Sequence, residues 1–283
     1  MRKISAILPV YDEEVLIKPC LEHLDPYVDE IILIDGGPDG PSDDKTAEIA
    51  KNFDKVKYVS GTYKTIPGAW DAGSQKNHGI SEATGDVLLF LSADMFFQNI
   101  EFLCRAMRSD DGVRVYFANT IEFWIDSAHI RMYSAPESLS IMSLPQEAVA
   151  VAREAQPVAN QHGSLEVSFT KPEQQAFIAN TTKYHLGWIR PFDAQVAKHI
   201  RHVRQGRWGD QGDLWLKGSE QKLEQWALLH VLSYKKNPSI RLNCELPPEW
   251  DFMKSMSCTN KQTDTIKSYE ARFKTSLFKG AKE

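Results

Sequence analysis

The order of apolar runs in the first hundred residues constrains this chain more than any other feature. Ile4–Val10 (I-S-A-I-L-P-V), Glu30–Asp35 (E-I-I-L-I-D), Val56–Val59 and Asp86–Leu91 (D-V-L-L-F-L) are short, apolar and bounded by turn-forming residues, which is the signature of strands. Between and after them, apolar residues at helical spacing predict helices over Glu13–Leu24, Lys45–Phe53, Ala69–Ala83 and Ile100–Met107. Pro19 is expected to kink the first of these, and Gly85 lies just past the end of the third. Strand alternating with helix dictates a sheet covered on both faces. The expected fold class is therefore α/β: a mixed, mostly parallel sheet flanked by helices, Rossmann-like in its layering.

In such sheets ligands bind beyond the carboxyl ends of the strands. Asp94 emerges there, at the tip of D-V-L-L-F-L-S-A-D, and so do Asp35 after the second strand and Tyr11, Asp12 and Glu13 after the first. Each carboxylate taken singly is explained as well by a helix cap or a turn. Three strand ends that bring polar groups to one edge predict a site.

The second half is less regular. Arg114–Ile125 and Lys183–Trp188 read as strands, and Gln146–Ala155, Asp193–Val203 and Ser219–Leu232 as helices. Residues 134–175, rich in Ser, Pro, Gln and Ala, read as a lid or an excursion on the acceptor side. The net charge of −5, from 33 Lys+Arg against 38 Asp+Glu, gives no global pull toward nucleic acid or membranes. No apolar window approaches the roughly 18 residues a membrane span requires. The apolar run at the N-terminus is cut short by Asp12, Glu13 and Glu14, so a strand is expected there and not a signal peptide. Cys20, Cys104, Cys244 and Cys258 are scattered without a C-x-x-C pair and read as reduced thiols in a cytoplasmic protein.

Four motifs, in this order and at these spacings, resemble the family 2 glycosyltransferases, which have the A-type nucleotide-sugar transferase fold. They are I-L-P-V-Y-D-E-E (7–14), I-D-G-G-P-D-G (34–40), Q-K-N-H-G-I-S-E-A-T-G-D (75–86) and L-F-L-S-A-D (89–94), and they span about the first 110 residues. The resemblance implies a nucleotide-diphospho-sugar donor, a UDP-sugar by expectation, and transfer to a hydroxyl acceptor with inversion. It implies that residues 1–110 form the nucleotide-sugar half. Residues 111–260 would form the acceptor and catalytic half, and 261–283 a helical tail.

The resemblance also implies roles for single residues. Pro9, Tyr11 and Glu13 would hold the base, Asp35 the base or ribose, and Lys76 the base and diphosphate. Asp94 falls on the second acid of the family's Asp-x-Asp element and would bind Mn²⁺ or Mg²⁺ bridging the diphosphate. Hard oxygen donors suit those ions, and such a cation would stabilise the charge on the leaving group. Ser92 stands where the first acid is expected, and Gly36 where many members have a second Asp. H-L-G-W-I-R-P-F (185–192) is similar to a His-Gly-basic-Pro element of other A-type transferases, which makes His185 a metal ligand and Arg190 a phosphate clamp. His185 as a core histidine and Arg190 as a surface cation remain the bland alternatives. W-G-D-Q-G-D-L-W (208–215) resembles the segment that supplies the general base, so Asp210 or Asp213 would take the acceptor proton, Asp210 being on the family's Glu position. A helix cap explains either one equally well. Trp250 and Asp251 are candidates for the acceptor pocket, with a buried structural Trp as the alternative.

The acceptor class stays open: a glycan, a glycolipid or another hydroxyl compound. The basic run K-H-I-R-H-V-R-Q-G-R (198–207) admits an anionic acceptor, including a hydroxymethylated base in DNA, although the net charge disfavours nucleic acid and a solvated helix face explains the run as well. Ser92 and Gln211 keep open a catalytically degenerate, binding-only member. A nucleotidyltransferase would want a Gly-rich basic loop where this chain has Y-D-E-E.

Overall fold

The computed structural model describes residues 1–64, 70–109, 112–124, 126–131, 146–160, 164–166, 175–204, 220–234, 239–241, 248–257 and 262–273. The chain divides into two compact units. One comprises residues 1–121 and 139–185, the other residues 122–138 and 186–283.

The first unit begins as the apolar runs require. Strands β1 (Ile4–Val10), β2 (Glu30–Asp35), β3 (Val56–Ser60) and β4 (Val87–Phe90) are joined through helices α1 (Ile17–Leu24), α2 (Thr46–Ala50) and α3 (Ala72–Glu82). β3, β2, β1 and β4 lie side by side in that order and parallel, with Ile7 beside Ile32 and Pro9 beside Ile34. Continuous burial along β1, β2 and β4 is why these strands read as unbroken apolar runs and not as alternating ones. α1 buries Ile17, Cys20, Leu21 and Leu24, one stripe at helical spacing, and Pro19 sits in its first turn, where no backbone donor is lost.

The sheet continues with antiparallel strands. After β5 (Met95–Phe97) and α4 (Ile100–Arg108), β6 (Val113–Trp124) and β8 (Gln146–Ala152) extend it: β8 pairs with both β4 and β6. This corrects the helix expected over Gln146–Ala155. Ala and Val alternate there, and Val149, Ala150, Val151 and Ala152 are all buried between two neighbouring strands, so burial on both faces overrides the helical propensity of Ala and Glu. It also makes residues 146–152 an inner strand and not part of a lid. The fold is thus a mixed sheet flanked by helices, as expected, parallel on its N-terminal side. Ile7, Ile32, Ile34, Leu88, Phe90, Val115 and Val151 form one core across β1, β2, β4, β6 and β8. A two-stranded ribbon, β9 (Val158–Ala159) with β10 (Leu165–Glu166), and the long β11 (Gln175–Trp188), as far as His185, complete the unit.

In the second unit β7 (Asp126–Arg131) pairs with the end of β6 and with β12 (Ser239–Arg241). Helix α5 (Phe192–Arg204) packs on α6 (Glu220–Tyr234) through Phe192, Val196, Ile200, Leu223, Ala227, Leu228 and Val231. A 3-10 segment, Pro248–Ser255, and α7 (Gln262–Phe273) follow. No helix among the described residues is long and apolar enough to cross a membrane.

Candidate active site

The ends of β1 and β2 are laced together. After β1 the chain turns at Asp12, whose φ of 51° is left-handed, a conformation Asp tolerates better than most residues. The Asp12 amide donates to Ser42 Oγ at 2.8 Å, the Glu13 amide to Thr46 Oγ1 at 2.9 Å and the Glu14 amide to Asp44 Oδ2 at 2.9 Å. In return the Asp43 amide donates to Asp12 Oδ1 at 3.1 Å. Asp35 anchors this lacing from beneath. It is fully buried, and its Oδ1 accepts from the Ser42 amide at 3.0 Å and the Ser42 hydroxyl at 2.5 Å. Its Oδ2 accepts from Tyr58 OH at 2.7 Å. Burial, and then the hydrogen bond and charge of Asp35, push the Tyr58 phenol well above its usual range.

Two glycines explain how closely these parts fit. A Cβ on Gly37 would lie 2.8 to 2.9 Å from three atoms of the Tyr11 ring, so that ring rests on the Gly37 backbone. A Cβ on Gly36 would lie 2.2 Å from the Gly61 carbonyl oxygen. That approach leaves no room for a side chain at Gly36 unless the Gly61 backbone shifts.

The third strand end supplies Asp94. A turn closed by the Met95 amide on the Ser92 carbonyl, at 3.0 Å, follows β4 and presents the carboxylate, which is 5% exposed. β5 then pairs antiparallel with β11, placing His185 beside Met95. As a result His185 Nε2 stands 3.6 Å from Asp94 Oδ2. Beneath them the Cys20 thiol is pushed far up by burial first, and then by the charges of Asp94 and Glu13.

Asp94 and His185 fit a divalent cation. Donor–metal distances of about 2.1 Å limit two donors to about 4.2 Å apart, and this pair meets the limit. Among the described residues no group of three His, Cys, Asp or Glu side chains could hold a metal. Any further oxygen ligands, such as water, would complete the coordination that a small divalent cation requires.

Helix α3 contributes from the side. Gln75, in its first turn, is fully buried and donates through Nε2 to the carbonyls of Val10 at 3.0 Å and Ile34 at 2.7 Å. Lys76 is half-buried beside it. Asn77 exchanges two hydrogen bonds with Ala159, at 2.8 and 2.9 Å, and so ties β9 to the helix.

The structure brings Tyr11, Glu13, Asp35, Asp94 and His185 to the carboxyl-end side of one sheet, with Pro9 half-buried as the penultimate residue of β1 and Lys76 on the adjacent helix. Arg190 belongs to the second unit, where it lies 3% exposed just before α5. Trp250 is buried in the 3-10 segment, a core position, while Asp251 is exposed. Asp210 and Asp213 lie outside the described residues. Sequence reasoning missed Ser42, Thr46, Tyr58 and Gln75. The signal for Gln75 was a polar residue between Gly73 and Gly79 on the helix face that meets the sheet. The run S-D-D-K-T held the signal for Ser42 and Thr46, as hydroxyls flanking an acidic loop.

Residues 5–136 match Glycosyl transferase family 2. A comparison with curated protein sequences finds no match. Among solved structures, TarS of S. aureus is 16% identical over 96% of this chain and 53% of its own, with a TM-score of 0.42. Glucosyl-3-phosphoglycerate synthase from Mycobacterium tuberculosis, in complex with Mg²⁺ and UDP, is 19% identical over 72% of this chain and 78% of its own, also at 0.42. In its complex with Mn²⁺, UDP and glucosyl-3-phosphoglycerate the same synthase matches 43% of this chain and 44% of its own at 21% identity, with a TM-score of 0.32. The chain thus spans less than half of that last structure and about half of TarS.

Proposed function

We propose, on the match of residues 5–136 to Glycosyl transferase family 2, that the chain is a transferase of this family and moves a sugar from a nucleotide-diphospho-sugar to a hydroxyl acceptor with help from a divalent cation. The observation that carries this reading is the meeting of Asp94 with His185, 3.6 Å apart, beside the strand ends that bear Tyr11, Glu13 and Asp35. In this reading Tyr11, Glu13 and Lys76 line the nucleotide, with uridine as the proposed base. Asp35, fully buried and bonded through both carboxylate oxygens, acts indirectly instead of touching the base or ribose: it shapes that loop through Ser42 and Tyr58. Asp94 and His185 hold Mn²⁺ or Mg²⁺, which when bound supplies positive charge beside the leaving diphosphate.

The proposed reaction is a direct displacement. The acceptor oxygen forms a bond to the anomeric carbon as the bond from that carbon to the diphosphate oxygen breaks. The electron pair leaves with the nucleoside diphosphate, and the acceptor proton passes to Asp210 or Asp213. Arg190 is the proposed cation for the departing phosphate. Trp250, being buried, supports the acceptor side through packing in this reading, and Asp251 is the exposed candidate there. A cytoplasmic setting is proposed on the free thiols of Cys20 and Cys104.

The test is calorimetric titration of UDP, GDP and CDP, with and without Mn²⁺, on wild type and on Asp94→Ala. Mn²⁺-dependent binding of one nucleotide, lost in the variant, is the expected result. No binding of any nucleotide under either condition would overturn the reading.

A further inference from the structure

We infer that Gln75 is a positioning residue for this edge: it sets the orientation of the peptide units from which Tyr11 and Asp35 spring. The inference rests on the reading of that edge as the donor site. Gln75 Nε2 donates to Val10 O at 3.0 Å and to Ile34 O at 2.7 Å. Both partners are acceptors, so the amide has only one sensible orientation, with its NH₂ side toward them. The Val10 carbonyl belongs to the planar unit that ends at Tyr11 Cα, and the Ile34 carbonyl to the one that ends at Asp35 Cα. A planar unit held at its oxygen is restrained in rotation. One side chain that holds both oxygens therefore couples the directions in which the two loops leave the sheet.

The ladder alone does less at this point. Pro9 sits beside Ile34 and Val10 beside Asp35, and the pairing of β1 with β2 ends there. Beyond it the Gly36 amide still reaches Val10 O at 3.1 Å, so that carbonyl is shared between Gly36 and Gln75. The position is also unlike an ordinary core site. Gln75 Oε1 is buried with no hydrogen-bond partner, a penalty that an apolar side chain of the same size would avoid. Reach is provided one turn further on. A Cβ at Gly79 would lie 2.5 Å from Ile34 Cδ1 and 2.8 Å from Ile7 Cγ2, so α3 lies close against β1 and β2.

The experiment compares wild type with Gln75→Met, which keeps the volume and removes both donors, and Gln75→Asn, which keeps the amide and shortens its reach. Each is measured for thermal unfolding midpoint, for UDP affinity in Mn²⁺, and for KM and kcat of donor hydrolysis. The expected result is a folded Gln75→Met whose Kd for UDP rises roughly tenfold or more, with KM raised more than kcat is lowered. Should Gln75→Met not fold, Gln75→Asn decides by the same criterion. Folded variants that bind UDP within about twofold of wild type would overturn the inference while leaving the transferase reading intact. A wild type that binds no nucleotide would overturn both.

Discussion

Asp94 Oδ2 and His185 Nε2 stand 3.6 Å apart, although one follows β4 and the other lies within β11. The register of β5 against β11 creates this proximity. If the pair holds a cation, each member is needed and losing the second adds little. Asp94→Ala and His185→Ala are each expected to raise the Kd for UDP in Mn²⁺ by about 10- to 100-fold. The double variant should be little worse than the worse single one, because both act on one bound group. Calorimetry in Mn²⁺ and in EDTA checks this, and in EDTA the three variants should converge on wild type. Losses that simply add would assign the two residues separate roles.

The Tyr11 ring and the Gly37 backbone give a second prediction, with Gly36 as its contrast. Gly37→Ala sets a methyl 2.8 to 2.9 Å from ring atoms that can swing aside. It should leave the unfolding midpoint near wild type and weaken nucleotide binding. Gly36→Asp sets Cβ 2.2 Å from a backbone oxygen, at a φ of +158°. That variant should lose about 1–3 kcal/mol of stability, read by urea unfolding. A fully stable Gly36→Asp would show that the Gly61 strand end yields easily.

The parallel part of the sheet was legible because its strands are buried on both faces and their apolar runs are uninterrupted. Asp35 and Asp94 were legible as carboxylates at the tips of such runs, but the burial of Asp35 and its bonds to Ser42 and Tyr58 were not. What escaped was set by distant partners. β8 reads as helix because Ala, Glu and Gln favour helices locally, and only β4 and β6 on either side decide otherwise. The three-residue β5 has no periodicity to read, and it exists because β11 pairs with it. The hydroxyls of Ser42, Thr46 and Tyr58 carry no pattern of their own. Their roles appear once β1 and β2 lie side by side.

Two buried thiols make the protein sensitive to alkali. Cys20 is fully buried, and burial with the charges of Asp94 and Glu13 raises its pKa far beyond the ordinary 9.0. Burial likewise pushes Cys104 up to about 12, with Asp29 adding to the effect and Arg108 opposing it. For both groups the folded pKa lies above the unfolded one. Their contribution to stability is therefore complete below about pH 9 and is lost as pH rises further. Each thiol should cost about 1.4 kcal/mol per pH unit in that range. Urea unfolding at pH 8, 9 and 10 should show this fall, and Cys104→Ala should show a shallower one than wild type. An unchanged slope in the variant would mean that the thiol becomes hydrated before the fold opens.

Acid should act first on the second unit, through His199. This side chain on α5 is 2% exposed, and its Nδ1 bonds the Gln195 carbonyl at 2.8 Å. Its ring lies 5.3 Å from Trp188 and 5.4 Å from His230, centroid to centroid. Burial lowers its pKa from 6.5 to about 4; the bond to Gln195 opposes this, and the charges of His230 and Lys198 add to it. His230, on α6, is lowered by burial as well. In the unfolded chain these histidines take up protons from about pH 6.5 downward, while in the folded unit His199 stays neutral until about pH 4. Its contribution is therefore complete above about pH 6.5 and lost progressively toward pH 4, a difference on the order of 3 kcal/mol. The carboxylates act in another window. Burial alone would raise the pKa of Glu30, but hydrogen bonds from Ser5, Thr84 and Gly85 outweigh it and hold the value below the ordinary 4.5, so its contribution fades only below that pH. Between pH 6.5 and 4.5 the histidines dominate. Urea unfolding of wild type across that interval should show stability falling with pH, and His199→Phe, which keeps an aromatic ring against Trp188, should flatten the fall. A wild type equally stable at pH 7 and 4.5 would mean that the interior of α5 and α6 is wet enough to accept the charge.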